Sequence, residues 1–113
     1  MNGYQIKGGL LREREYYDTE RYGDLFAFAG DQVGDDGFNP ENAVIAVTVG
    51  SPNLYAFNLP AALVLEAVSL GISKDELVRR MGDIFEVDEE TLVTDIDEIV
   101  QTMLSCGIII EGN

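Results

Sequence analysis

Ala43-Val44-Ile45-Ala46-Val47-Thr48-Val49, then Gly50-Ser51-Pro52-Asn53, then Leu54-Tyr55-Ala56-Phe57 is the stretch whose reading decides the fold. Seven apolar or β-branched residues in a row suit a pleated strand. Ile45, Val47 and Val49 then point to one face and Val44, Ala46 and Thr48 to the other. Gly-Ser-Pro-Asn is turn chemistry of hairpin length, which makes Leu54–Phe57 the returning strand. Immediately beyond it, Asn58 is placed to cap a helix, with Pro60 in the first turn, where a missing N–H costs nothing. From Ala61 to Leu70 only Glu66 and Ser69 are polar, so this helix is expected to be buried nearly all round. Gly71 ends it in a left-handed conformation.

Two more helices follow from the same punctuation. Ser73 and Glu76 have capping-box spacing, and Leu77, Met81, Ile84 and Phe85 recur at helical period. Asp88 caps the last helix, with Glu89 and Glu90 at its positive end, and Gly107 stops it. The predicted helices therefore lie near 60–70, 74–85 and 89–106. In the last of them Leu92, Val93, Ile96, Ile99, Val100, Met103 and Leu104 span an arc of about 140°, wider than the roughly 100° that one core requires. The surplus edge, Val93, Val100 and Leu104, either lines a groove or is covered by Ile108-Ile109-Ile110.

Upstream, Leu10–Tyr17 fits a strand or a short helix. Leu25-Phe26-Ala27-Phe28-Ala29 reads as a strand with both phenylalanines on one face. Gly30–Asn42 reads as a turn-rich loop. The expected fold class is α+β: an N-terminal antiparallel sheet of three or four strands followed by three α-helices. At 113 residues the chain has room for one core, so residues 1–113 are expected to be a single domain. Within it, 1–42 carries the upstream strands and the acidic loop, and 43–110 carries the hairpin and the three helices.

Composition narrows the function. Twenty-one acidic residues against seven basic ones leave a net charge of −14. Such a field repels a phosphate backbone, which is bound by releasing counterions to Lys and Arg, so nucleic acid is not an expected partner. The acidity fits a solvated surface, a basic partner surface or peptide, or a high-salt environment. No apolar run approaches the roughly 20 residues of a membrane span, and Met-Asn-Gly-Tyr-Gln-Ile-Lys has no apolar signal core. Cys106 is the single cysteine, so no internal disulfide can form, and a reducing, cytoplasmic location is expected.

Little catalytic chemistry is available. The chain has no histidine, which removes the commonest general base, the usual zinc ligand and every His-dependent triad. Cys106 falls at a helix C-terminus, where the dipole opposes a thiolate. Gly8-Gly9 lacks the Gly-Lys-Ser/Thr that completes a phosphate loop. Asp31, Asp35, Asp36 and Asn39 cluster in the acidic loop, but their spacing fails the EF-hand pattern. Asp97 and Glu98 lie together on an exposed helix face. No enzyme activity, cofactor or metal is expected.

The residues from Ala43 to Ile110 resemble the PqqD-like family, also called RiPP precursor recognition elements. The resemblance rests on the hairpin running into an Asn-x-x-Ala-Ala junction (Asn58, Ala61, Ala62) and on the Ser-x-x-Glu-Leu helix start (Ser73 to Leu77). The Phe85-Glu86-Val87-Asp88 break and the long last helix ending in Gly107-Ile108-Ile109 complete it. It implies a winged-helix-like module that binds the leader of a ribosomally made precursor peptide. The leader adds as a strand beside the last helix and is presented to a modifying enzyme, often a radical S-adenosylmethionine enzyme. Carried over, the peptide-binding residues are Leu54, Tyr55, Ala56 and Phe57, facing Val93, Asp97, Val100 and Leu104. Residues 1–42 depart from the pattern, and dimerisation or an extra strand would reside there. The alternative is a winged-helix adaptor or regulatory protein whose partner is folded; a transcription factor is disfavoured by the absence of a basic helix.

Overall fold

The computed structural model describes residues 1, 3–6, 21, 25–33, 44–48 and 54–112, with backbone alone at Gln32, 44–48 and 54–56. What organises it is the helix that composition makes most apolar. α2, Leu59–Leu70, buries Leu59 and the unbroken run Ala62–Val68, including Glu66 at 0% exposure. Its start is the cap read from sequence: Asn58 is extended (φ −73°, ψ 169°) and its Oδ1 accepts the Ala61 N–H at 3.0 Å. Its end is Gly71 at φ 72°, beyond which the Ile72 N–H returns to the Ala67 carbonyl at 3.0 Å.

Before α2 lies the decisive hairpin. β2, Val44–Thr48, pairs antiparallel with β3, Leu54–Asn58, in a register running from Val44 opposite Asn58 to Thr48 opposite Leu54. The turn at 49–53 and the assignment of side-chain faces on β2 lie outside the described residues. β3 passes into α2 without a linking residue.

After α2, α3 (Lys74–Phe85) and α4 (Glu89–Ser105) pack beside it. Ser73 Oγ accepts the Glu76 N–H at 3.2 Å. The Glu76 carboxylate reaches forward to Arg79 and Arg80, so it serves the helix face instead of closing a reciprocal box. α3 stops at Glu86, a non-glycine residue held left-handed at φ 55°, and this sharp exit aims Val87 outward. Asp88 then caps α4, accepting the Thr91 N–H at 3.1 Å and the Thr91 hydroxyl at 2.8 Å. These bonds hold its carboxyl below the usual aspartate range. At the far end Gly107 (φ 74°) turns the chain so that Ile108 and Ile109 are buried.

The first residues complete the core. β1, Tyr4–Ile6, pairs antiparallel with β4, Ile109–Glu111, with Ile6 opposite Ile109. Ile6 and Ile109 both join the cluster built on Leu63, Leu77, Met81, Ile96, Val100 and Met103.

Three expectations need correction. Leu25–Ala29 is not a strand: it opens helix α1, Leu25–Val33, which extends into the stretch read as loop. Leu25, Phe26 and Ala29 are buried, Phe28 and Val33 are half-buried and Ala27 is exposed. That is helical spacing, which a five-residue apolar run cannot distinguish from a strand. Second, the described residues contain four helices, not three. Third, they form two two-stranded sheets, β1–β4 and β2–β3, where one N-terminal sheet of three or four strands was expected. A strand from the carboxy-terminal end takes part, because the Gly107 turn brings the isoleucine tail back onto the body. The α+β class stands. Leu10–Tyr17 lies outside the described residues.

Candidate functional site

The hand-over from β3 to α2 leaves a cleft against α4. Phe57, 8% exposed, and Asn58 end the strand, and Pro60 and Ala61 begin the helix. Across from them α4 presents Asp95, Glu98, Ile99 and Thr102. Phe85 and Val87 close one end through the left-handed exit of α3, while Met81, Leu92, Met103 and Ile108 form the floor. The cleft measures about 810 Å³, within the range of small-ligand sites and large enough for several side chains of an extended peptide. Its floor is buried core, and Ala61, Phe85 and Ile99 on its walls are half-buried, so apolar groups entering it gain burial without opening the fold.

Among the described residues the charge on its walls is of one sign. The described cations of α3 are engaged outside the cleft. Lys74 Nζ lies 2.5 Å from Asp97 Oδ1, and Arg79 pairs with Glu76 and, at 3.5 Å, with Asp83. Arg80 Nε lies 2.9 Å from Glu76 Oε1, and its guanidinium sits 5.1 Å from the Phe26 ring centre. Hydrogen bonds from Arg79 and then Arg80 bring the Glu76 carboxyl down to about 2. Among the described residues no Lys or Arg lines the cleft, whereas Asp95 and Glu98 do, and neither carboxylate has an ion pair there.

The eight residues expected at the site divide. Leu54–Phe57 form β3, and Phe57 lines the cleft; the side chains of Leu54, Tyr55 and Ala56 lie outside the described residues. Val93, Asp97, Val100 and Leu104 do not line it. Val100 is 3% exposed in the core, Val93 and Leu104 pack half-buried against that core, and Asp97 is exposed and paired with Lys74. The cleft borders the opposite flank of α4, through Asp95, Glu98, Ile99 and Thr102. Of the wide apolar arc read from sequence, the Val93, Val100 and Leu104 edge packs on the core and the Ile99 edge borders the cleft. A usable signal was Phe85 and Val87, two apolar residues astride a helix break with no helical face to explain both.

Other chemistry is sparse. Cys106 is an exposed free thiol at the cleft margin. Among the described residues no group of three His, Cys, Asp or Glu side chains could hold a metal ion, and no helix is long and apolar enough to cross a membrane.

Fold and site together define a small α+β protein with an open apolar cleft beside a two-stranded sheet. Residues 39–109 match the family described as Coenzyme PQQ synthesis protein D (PqqD), well over half of the chain. The chain belongs to the PqqD family. Neither a curated protein nor a solved structure matches it.

Proposed function

We propose that this protein is a non-catalytic peptide-binding module that captures the leader of a ribosomally synthesised precursor peptide and presents it to a modifying enzyme. Membership of a family named for coenzyme PQQ synthesis supports a peptide-modification pathway, with a radical S-adenosylmethionine enzyme as the partner. The observation that carries the reading is the position of the cleft. It runs between the end of β3 and α4, and β3 has a strand neighbour, β2, on one side among the described residues.

An extended peptide laid along β3 pairs its main chain with the strand. Its alternate side chains, about 6.8 Å apart, then drop between Phe57 and Ile99. Backbone pairing sets the register, and two or three apolar anchors worth about 1.5–3 kcal/mol each supply most of the affinity. With no histidine in the chain, the chemistry belongs to the partner enzyme, and this module supplies capture and orientation.

Calorimetric titration of synthetic leaders of candidate precursor peptides tests the reading. Ile99→Glu places a charge on the cleft wall and is expected to weaken binding by about 2 kcal/mol, roughly thirtyfold. Circular dichroism should show both proteins folded. Equal affinities for wild type and variant would remove the peptide from this cleft. Failure of wild type to bind any leader would favour an adaptor for a folded partner.

A further inference from the structure

We infer that the cleft selects a cationic peptide segment, one with Lys or Arg beside its apolar anchors; this deepens the peptide-capture reading and rests on it. Three features of the site lead there. The α4 wall carries Asp95 and Glu98, and no basic residue among the described ones contributes to the lining. Neither carboxylate has an ion pair among the described residues, while the cations of α3 are held elsewhere by Glu76, Asp83 and Asp97. Between these acids and Phe57 the floor is apolar, so the site combines a place for an aliphatic or aromatic side chain with negative charge at its lip.

Charge decides among occupants. A second copy of this chain brings a net charge of −14 to an acidic lip, and an acidic peptide or a nucleic acid is repelled in the same way. A basic-apolar peptide is attracted from a distance and finds two carboxylates when it arrives. The helix also sets the reach. Asp95 to Thr102 covers about 10 Å at 1.5 Å per residue, the length of roughly three residues of an extended chain. The wall therefore reads a short segment: an apolar anchor with one or two cations within two positions of it. Asp97, on the other flank and neutralised by Lys74, takes no part.

Three fluorescent peptides provide the test. All share two Leu anchors, two residues apart, in a Gly-Ser-Thr background, and they carry Lys, Gln or Glu at the flanking positions. Binding is followed by fluorescence anisotropy for wild type, for the double variant Asp95→Asn/Glu98→Gln and for Asp97→Asn. Wild type is expected to prefer the Lys peptide over the Gln peptide by roughly tenfold, with the Glu peptide weakest. The preference should shrink between about 0.05 M and about 0.5 M salt, as screening shortens to a few ångströms. The double variant should bind Lys and Gln peptides alike, at the wild-type affinity for Gln, and Asp97→Asn should behave as wild type. Equal binding of Lys and Gln peptides by wild type overturns the charge selection and leaves peptide capture standing. A Lys preference that persists in the double variant overturns the assignment to Asp95 and Glu98. Binding of none of the three peptides overturns both readings.

Discussion

The two flanks of α4 carry similar residues and have different surroundings. On one, Val93 and Leu104 pack against the core beside buried Val100, and the nearest acid, Asp97, is paired with Lys74. On the other, Ile99 is half-buried at the wall of a cleft, and Asp95 and Glu98 stand at its lip with no ion pair among the described residues. A helical wheel counts aliphatic residues alike on both edges. The neighbours decide which edge is core and which is available. α3 brings its lysine to one flank, while the β3-to-α2 junction stands back from the other.

Charge introduced on either flank separates these two situations most sharply. Val100→Glu buries an unpaired carboxylate and is expected to cost about 3 kcal/mol or more of folding stability, read as a fall in the urea midpoint. Ile99→Glu should leave a cooperative, near-native melt and lose peptide binding instead. If Val100→Glu melts like wild type, the core flank has been misassigned. At the junction that holds the cleft open, Asn58→Ala removes the cap of α2 and should destabilise by about 1 kcal/mol, seen in thermal melts. A variant as stable as wild type would mean that Pro60 and burial alone fix this helix start. On the outer flank Asp97→Ala breaks an exposed ion pair and should change stability by less than about 0.5 kcal/mol. A larger loss would show that Lys74 anchors α3 to α4.

The smallest effect is one of pH. The Glu76 carboxyl is depressed from 4.5 to about 2 by Arg79 and Arg80, so its pairing contributes to stability above pH 4.5. That contribution is lost as pH falls toward about 2. The difference in urea midpoint between wild type and Glu76→Gln should therefore close across this window, and parallel curves would show that the pair adds nothing in solution.

The second half of the chain was legible because its signals are local. Asn58, Ser73 and Asp88 each cap the helix they precede, and Gly71 and Gly107 end theirs. Cap chemistry involves neighbours three or four residues away, which a sequence displays directly. The hairpin was legible for the same reason. Leu25–Ala29 was not, since all five residues are apolar and only their surroundings select helix over strand. The pairing of Ile109 with Ile6 and the choice of flank on α4 are tertiary facts. No residue near Val93 or Ile99 in sequence records which of them will be covered.

The pairing of Tyr4 with Glu111 has a kinetic consequence. The β2–β3 hairpin closes a loop of a few residues, whereas this three-residue ladder closes nearly the whole chain. Because each doubling of loop length adds about 0.6 kcal/mol of closure entropy, the ladder is expected to form late, and it has few hydrogen bonds with which to hold. It is expected to be the last seam to zip during folding and the first to unzip in the native state. In a hydrogen-exchange experiment its amides should exchange ahead of those in α2, through partial openings that leave the helices intact. Each opening bares Ile6 and Ile109, so the apolar surface exposed in these excursions lies at the seam rather than in the cleft.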